Sequence, residues 1–327
     1  MSFDVVVASP RAFCAGVERA LRTVDLALEH RAGDEPVYVR HEIVHNQTVV
    51  NDLRARGAVF VEDVNDIPVG AVAVFSAHGV APHIREQARE RGLLTLDATC
   101  PLVARVHAAV VRYARRGGTI LFVGHANHPE VEGVMGEAPE RVILVETLAD
   151  AETVQVADAH NVAYATQTTL SLDEVAAIVA MLRKRFPGIQ GPEAGDVCYA
   201  TQNRQEAVRA LVERHGADTV LVLGSANSSN SRRLREVALQ AGARAAHLFN
   251  SDAELDSDWL AGARRVGVTA GASTPEYLVQ KLLDRLLALG ASSVHPVETK
   301  DEEDVYFSPP PTARRLTHSQ PKDAFAC

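Results

Sequence analysis

Three successive parallel α/β modules are the fold this sequence predicts, and three observations predict it. Short β-rich runs alternate with stretches of helical apolar spacing along most of the chain. Three cysteines, Cys14, Cys100 and Cys198, recur 86 and 98 residues apart. Each stands where a polar loop enters a helix. Alternation of this kind builds parallel sheets whose ligand loops lie beyond the strand ends.

In chain order, Phe3–Val7 is strand-like, and Ser9 to Gly16 is the loop that carries Cys14. Val17, Ala20, Leu21, Val24 and Leu28 then recur at helical spacing. Val72–Phe75 is a strand leading into Ser76-Ala77-His78-Gly79. Leu93–Leu96 is the next, and Asp97–Cys100 the loop after it, with Pro101 suited to the first turn of the helix through Val103, Val106, Val110 and Tyr113. Ile120–Val123 leads into Gly124–His128, and a later strand into Thr166–Thr169. A Gly/Pro-rich stretch precedes Cys198 and the helix Ala200–Arg214. Val220–Leu223 leads into Gly224–Ser231, and the last such loop is Thr269–Ser273. A divergent repeat of roughly 90 residues accounts for this pattern. Its boundaries fall at 1–97, 98–195 and 196–292. Residues 293–327, with Pro309-Pro310-Pro311, read as an extended tail in which Val305 and Tyr306 could form a terminal strand.

The 327 residues are 46% apolar and 23% charged, ordinary proportions for a globular chain. Acidic residues outnumber basic ones, 42 against 33, for a formal charge of −9, which argues against a nucleic-acid binder. The opening MSFDVVVASPR has no basic n-region, and no apolar run approaches the roughly 20 residues that span a bilayer. The expectation is a cytoplasmic protein with no nucleic-acid and no membrane partner. Disulfides are not expected there, and Cys327 is given no role.

A lone cysteine is most often a small buried hydrophobe. Three in polar loops at helix starts fit that reading poorly, because a helix N-terminus favours the thiolate. One thiolate per module, converging on a threefold axis, suits zinc, copper(I) or an iron–sulfur cluster. The paired Cys-x-x-Cys of structural zinc is missing, which ranks a cluster modestly higher. Three cysteines would leave one iron without a protein thiolate, open to act as a Lewis acid.

Among 13 histidines, His45, His78 and His128 form the informative group, each in an equivalent polar loop. His107, on an apolar-patterned helix, reads as structural. Asn227-Ser228-Ser229-Asn230-Ser231 is either a Ser/Asn turn or an anion pocket in which short donors and helix-start N–H groups surround phosphate oxygens. Ser273 is a similar donor beside Gly271. Glu130, two residues from His128, is a candidate proton carrier, with Glu132 the competing choice.

These residues resemble the 4-hydroxy-3-methylbut-2-enyl diphosphate reductase family. The resemblance is carried by Pro10-Arg11-x-Phe13-Cys14-Ala15-Gly16, Val39-Arg40-His41-Glu42-x-Val44-His45-Asn46, Ser76-Ala77-His78-Gly79 and Asp97-Ala98-Thr99-Cys100-Pro101. Gly124-His125-Ala126-x-His128-Pro129-Glu130, Thr166-Gln167-Thr168-Thr169, Cys198-Tyr199-Ala200-Thr201, Asn227–Ser231 and Thr269–Ser273 extend it over about residues 3–290. It implies a trefoil of three pseudo-threefold-related α/β modules around one central [4Fe-4S] cluster per chain, with Cys14, Cys100 and Cys198 as the thiolate ligands. It further implies diphosphate binding by His45, His78, His128, Ser228, Asn230 and Ser273, with Ser229 lining the same pocket. Glu130 would supply protons, and Thr168 would help orient the substrate alcohol. The implied reaction is reductive dehydroxylation of the diphosphate to isopentenyl and dimethylallyl diphosphate, the last step of the methylerythritol phosphate route. An external donor of ferredoxin or flavodoxin type would feed the electrons. The rivals are a non-redox, metal-dependent phosphohydrolase and an iron–sulfur redox sensor.

Overall fold

A computed structural model of the chain describes residues 3–192, 195–299 and 305–316. The first elements are β1 (Phe3–Ser9), α1 (Ala15–His30), β2 (Val37–Arg40), α2 (Gln47–Ala55), β3 (Ala58–Val61), β4 (Val72–Phe75), α3 (Pro82–Glu90) and β5 (Leu94–Asp97). There follow α4 (Pro101–Arg115), β6 (Thr119–Val123), α5 (Pro129–Met135), β7 (Val142–Val145), α6 (Leu148–Thr153), β8 (Val162–Thr166) and α7 (Leu172–Arg185). The last are α8 (Tyr199–Arg209), β9 (Thr219–Leu223), α9 (Ser229–Gln240), β10 (Ala245–Phe249), β11 (Arg265–Ala270), α10 (Glu276–Ala288), β12 (Ala291–Glu298) and α11 (Pro311–Leu316). Two compact units result. The first comprises Met1–Val17, His45–Val50 and Cys198–Tyr306; the second comprises Glu18–Val44, Asn51–Val197 and Phe307–Cys327.

The first unit is built on a parallel sheet in the order β10-β9-β11-β1-β12. Val5 and Val7 of β1 pack with Leu221, Val266 and Val268 against Leu278 and Leu282 of α10. Val6 and Ala8 face the other way, into a core with Val220 and Val222, Val208 of α8 and Leu234 of α9. Burial on both faces is why these strands read as continuous apolar runs rather than alternating ones.

Two features of this sheet differ from the sequence reading. β1, placed by the spacing in a first module of residues 1–97, pairs with β11 and β12. Residues 293–298, read as part of an extended tail, belong to β12. That strand lies at the sheet edge, where Pro296 is tolerated without an N–H to give, and Val297 is its one buried residue. Neither strand period nor apolar run announces it. Val305 and Tyr306 form no strand, and Cys327 lies outside the described residues.

The second unit holds two further parallel sheets, β3-β2-β4-β5 and β7-β6-β8. Ile120 and Phe122 of β6 pack on Val106 and Val110 of α4. Leu121 and Val123 turn to Ile178 and Leu182 of α7. Because every ladder is parallel, the loops that follow β4, β5, β6 and β8 leave from carboxyl ends, where α/β sheets present ligand groups. Among the described residues no helix is long and apolar enough to cross a membrane.

Candidate active site

In the second unit the loop after β5 brings the chain to Cys100, which N-caps α4. Its amide N–H donates to the Ala77 carbonyl at 3.0 Å, so the cysteine loop is tied to the loop that bears His78. Gly79 follows with φ of +82°, and a Cβ there would stand 2.7 Å from His107 Nε2. His78 Nδ1 is 3.2 Å from Ser76 Oγ. The His78 and His128 rings meet edge to face at 5.6 Å between centroids.

His128 caps α5, and its Nδ1 accepts the Glu130 amide N–H at 3.1 Å. A ring nitrogen that accepts carries no proton, so neutral His128 bears its hydrogen on Nε2 and presents it as a donor. Glu130 is 1% exposed. The Thr168 amide donates to Oε1 at 2.8 Å, and the Thr168 hydroxyl donates to Oε2 at 3.0 Å. Burial is the dominant influence on this carboxyl and pushes its pKa up to about 7, aided by the nearby Asp196 charge and opposed by the two Thr168 bonds. Of the two acids Glu130 is buried and Glu132 is exposed.

Two groups in this unit escaped the sequence reading. Gln167, fully buried, accepts the His125 amide at 3.1 Å and donates to Thr169 Oγ1 at 3.0 Å, which ties the loops after β6 and β8 together. Asp196 accepts the Thr166 amide at 3.1 Å, and burial raises its pKa. Gln167 lies inside a quoted motif. Asp196 follows a glycine-rich stretch that gives no hint of a buried acid.

In the first unit Cys14 follows β1 and precedes α1, and its N–H donates to the Ala272 carbonyl at 3.2 Å. Cys198 N-caps α8, with the Thr201 amide donating to Sγ at 3.4 Å and Thr201 Oγ1 at 3.2 Å from it. Ser228 N-caps α9, accepting from the Ser231 amide at 3.3 Å and the Ser231 hydroxyl at 3.1 Å. Ser229 and Asn230 open the helix, both buried. Asn230 Oδ1 accepts the Ala272 amide at 2.9 Å, while the buried Nδ2 has no partner among the described residues. That orphaned donor is what an anion site requires. The Ser273 hydroxyl donates to the His45 carbonyl at 3.0 Å, joining two of the candidate loops. Ser231, the last residue of the Asn227–Ser231 motif, is closely packed: a Cβ on Gly224 or Gly271 would collide with its Oγ.

No bond between cysteines is formed at Cys14, Cys100 or Cys198, and all three are half-buried. Among the described residues no three His, Cys, Asp or Glu side chains form a group that could hold a metal ion. The fit to an iron–sulfur cluster therefore rests on donor chemistry: three soft sulfur donors, each beside the start of a helix.

The family described as LytB protein matches residues 5–287. A protein of Azoarcus sp. (strain BH72) named 4-hydroxy-3-methylbut-2-enyl diphosphate reductase is 52% identical over 306 residues, 94% of this chain and 96% of its own length. The protein of the same name from Methylococcus capsulatus is 52% identical over 96% of this chain and 99% of its own. Among solved structures, the E-1-hydroxy-2-methyl-but-2-enyl-4-diphosphate reductase from Plasmodium falciparum superposes with a TM-score of 0.91 at 36% identity, covering 97% of this chain and 98% of that one. A second, described as the terminal enzyme of the non-mevalonate pathway, gives 0.62 at 31% identity over 88% and 99%.

Proposed function

Because the chain belongs to the LytB protein family, we propose that it is a 4-hydroxy-3-methylbut-2-enyl diphosphate reductase, acting at the end of the non-mevalonate route to isoprenoids. The reaction removes the allylic hydroxyl: two electrons and two protons enter, the C–O bond breaks, and water leaves as isopentenyl or dimethylallyl diphosphate forms. Cys14, Cys100 and Cys198 would hold a [4Fe-4S] cluster, which would supply one-electron chemistry fed by an external donor of ferredoxin or flavodoxin type, and a Lewis-acidic iron. As part of the same proposal, the modules 1–97, 98–195 and 196–292 form a trefoil about it, with β1 lent to the sheet of the third, and the enzyme works in the cytoplasm.

The observation that carries the proposal is the Glu130–Thr168 pair. An N–H can only donate, so Oε1 stays an acceptor for the Thr168 amide and a proton on Glu130 belongs on Oε2. That oxygen faces the Thr168 hydroxyl. When Oε2–H donates to Thr168 Oγ, the threonine hydrogen is released to turn outward to a leaving oxygen. With a pKa of about 7 the carboxyl is part-protonated at neutral pH, poised between giving and regaining its proton.

The diphosphate would fall to uncharged polar side chains in the loops and at the helix starts. Asn230 would offer its buried Nδ2–H, and His128, whose Nδ1 accepts the Glu130 amide, would act through Nε2. Ser228, Ser229, His45 and His78 would complete the set, and Ser273 would join it by turning its hydroxyl from the His45 carbonyl to the ligand. Neutral donors hold an ionised ligand by charge-assisted bonds without a fixed cation that would neutralise it.

The test is anaerobic. Purified protein is expected to be brown, with about four irons and four sulfides per chain, and to oxidise a reduced donor only when substrate is added. Colourless protein with stoichiometric zinc would replace this reading with the phosphohydrolase. A cluster without substrate-dependent oxidation would replace it with the sensor.

A further inference from the structure

We infer that Arg204 is a positioning residue that holds the loop bearing Cys14 to the helix bearing Cys198, and so sets the two thiols of the first unit. The inference rests on the cluster reading above. In sequence Arg204 sits among Gln202, Asn203 and Gln205 and looks like a solvated helix face. In the fold it is 1% exposed and heads the fully buried side chains by size.

Its guanidinium is used from both sides. Nε and Nη2 donate to the Ala12 carbonyl at 3.2 and 2.8 Å. Nη2 also reaches the carbonyls of Arg11 at 3.3 Å and Phe13 at 3.2 Å. Nη1 donates to the Ala200 carbonyl at 3.0 Å. These acceptors include the three residues before Cys14 and one two residues after Cys198.

Three successive carbonyls turned to one point is not a geometry that a helix or strand provides. It exists here because Ala12 takes a left-handed φ of +56°, a conformation that costs an L residue and persists where its surroundings hold it. The guanidinium is what converges on that turn. On its other edge the loop is fastened to the end of β11, by the Ala12 amide to the Ala270 carbonyl and the Cys14 amide to the Ala272 carbonyl. A buried charge met by carbonyl dipoles through a planar fork is a role that lysine, with its donors at a single point, does not reproduce. An arginine needed merely to fill the core would not require its acceptors to flank both cysteines. Groups that orient metal ligands from behind in this way commonly change metal retention by about tenfold or more when lost.

The experiment compares the full chain with Arg204→Lys, reconstituted anaerobically. The variant is expected to lose iron to a chelator about tenfold faster and to give a broadened electron-spin signal in the reduced state. In the iron-free chain, alkylation followed by mass spectrometry is expected to accelerate at Cys14 and Cys198 and not at Cys100. Ala12→Gly in the same background should recover most of the iron retention, because glycine adopts the left-handed turn unaided. Unchanged retention and signal in Arg204→Lys would overturn the inference. So would equal acceleration at all three cysteines, which reports general loosening. If Arg204→Lys does not fold, the double variant is measured in its place; failure of that one too would make Arg204 a folding residue and also overturn it. Wild-type protein without four irons would instead sink the functional reading, while the alkylation comparison would still decide the role of Arg204.

Discussion

Around Glu130, in the second unit, polar groups are bonded to one another; around Asn230, in the first, a donor is left over. Both oxygens of Glu130 are engaged by Thr168, and its amide is engaged by His128. Asn230 spends its carbonyl on the Ala272 amide and keeps a buried Nδ2 without a described partner. Saturation suits a group that must hold a proton in a defined place and part with it by a small rotation. An unspent donor suits a group that waits for a ligand to complete it. On the proposed reading, one region serves transfer and the other grip.

The contrast breaks most easily at Glu130. Glu130→Gln keeps the shape and the Thr168 contacts but has no proton to give, so turnover with a reducing donor should fall by about 10²–10⁴-fold while iron content and substrate affinity stay as in wild type. Retained turnover would move the proton source to water or Glu132.

The same variant sharpens the comparison through stability. Below its ordinary pKa of 4.5, Glu130 is neutral in folded and unfolded chains alike. Between there and about 7 the unfolded chain releases the proton and the fold retains it. The folded state then binds more protons, so stability falls as pH rises through this window. Above about 7 the whole penalty is present, on the order of 3 kcal/mol. Glu130→Gln should therefore melt at a higher temperature than wild type above that window, and the two curves should converge on acidification. A constant offset at every pH would contradict this.

Grip is tested at Asn230. Asn230→Ala removes a donor to a charged ligand, and KM should rise about tenfold to a hundredfold with a smaller change in kcat. A pure kcat effect would place Asn230 in the transfer region instead. The smallest effect is expected at Gly271→Ala, where the new Cβ collides with Ser231 Oγ. Denaturant melts should show a loss of about 1–2 kcal/mol, relieved when Ser231→Ala is added.

Much of this was legible in the chain. The loops entering α1, α4 and α8 were marked by their cysteines, and His128, Glu130 and Thr168 stood in motifs whose order implied one site. What stayed hidden has physical causes. β1 is an apolar run with nothing local to name its neighbours, so its pairing with β11 and β12 required the whole fold. β12 carries Pro296 on an exposed edge and shows no period. Arg204 and Asp196 are charged residues, and sequence reasoning sends such residues to the surface unless their partners are visible. Among the described residues their hydrogen-bond partners include backbone groups, at Arg11 to Phe13 and at Thr166, which have no letter in a sequence.

The link between Glu130 and His128 runs through the main chain, and that separates two duties that would otherwise be entangled. The acid works with its carboxyl, yet it sets which imidazole nitrogen is protonated with its peptide group. Nearly any replacement of the side chain leaves that peptide intact. If the proposed roles hold, evolution or an experimenter can thus retune proton delivery here without altering the histidine's tautomer, whereas proline at this one position would remove the N–H that sets it.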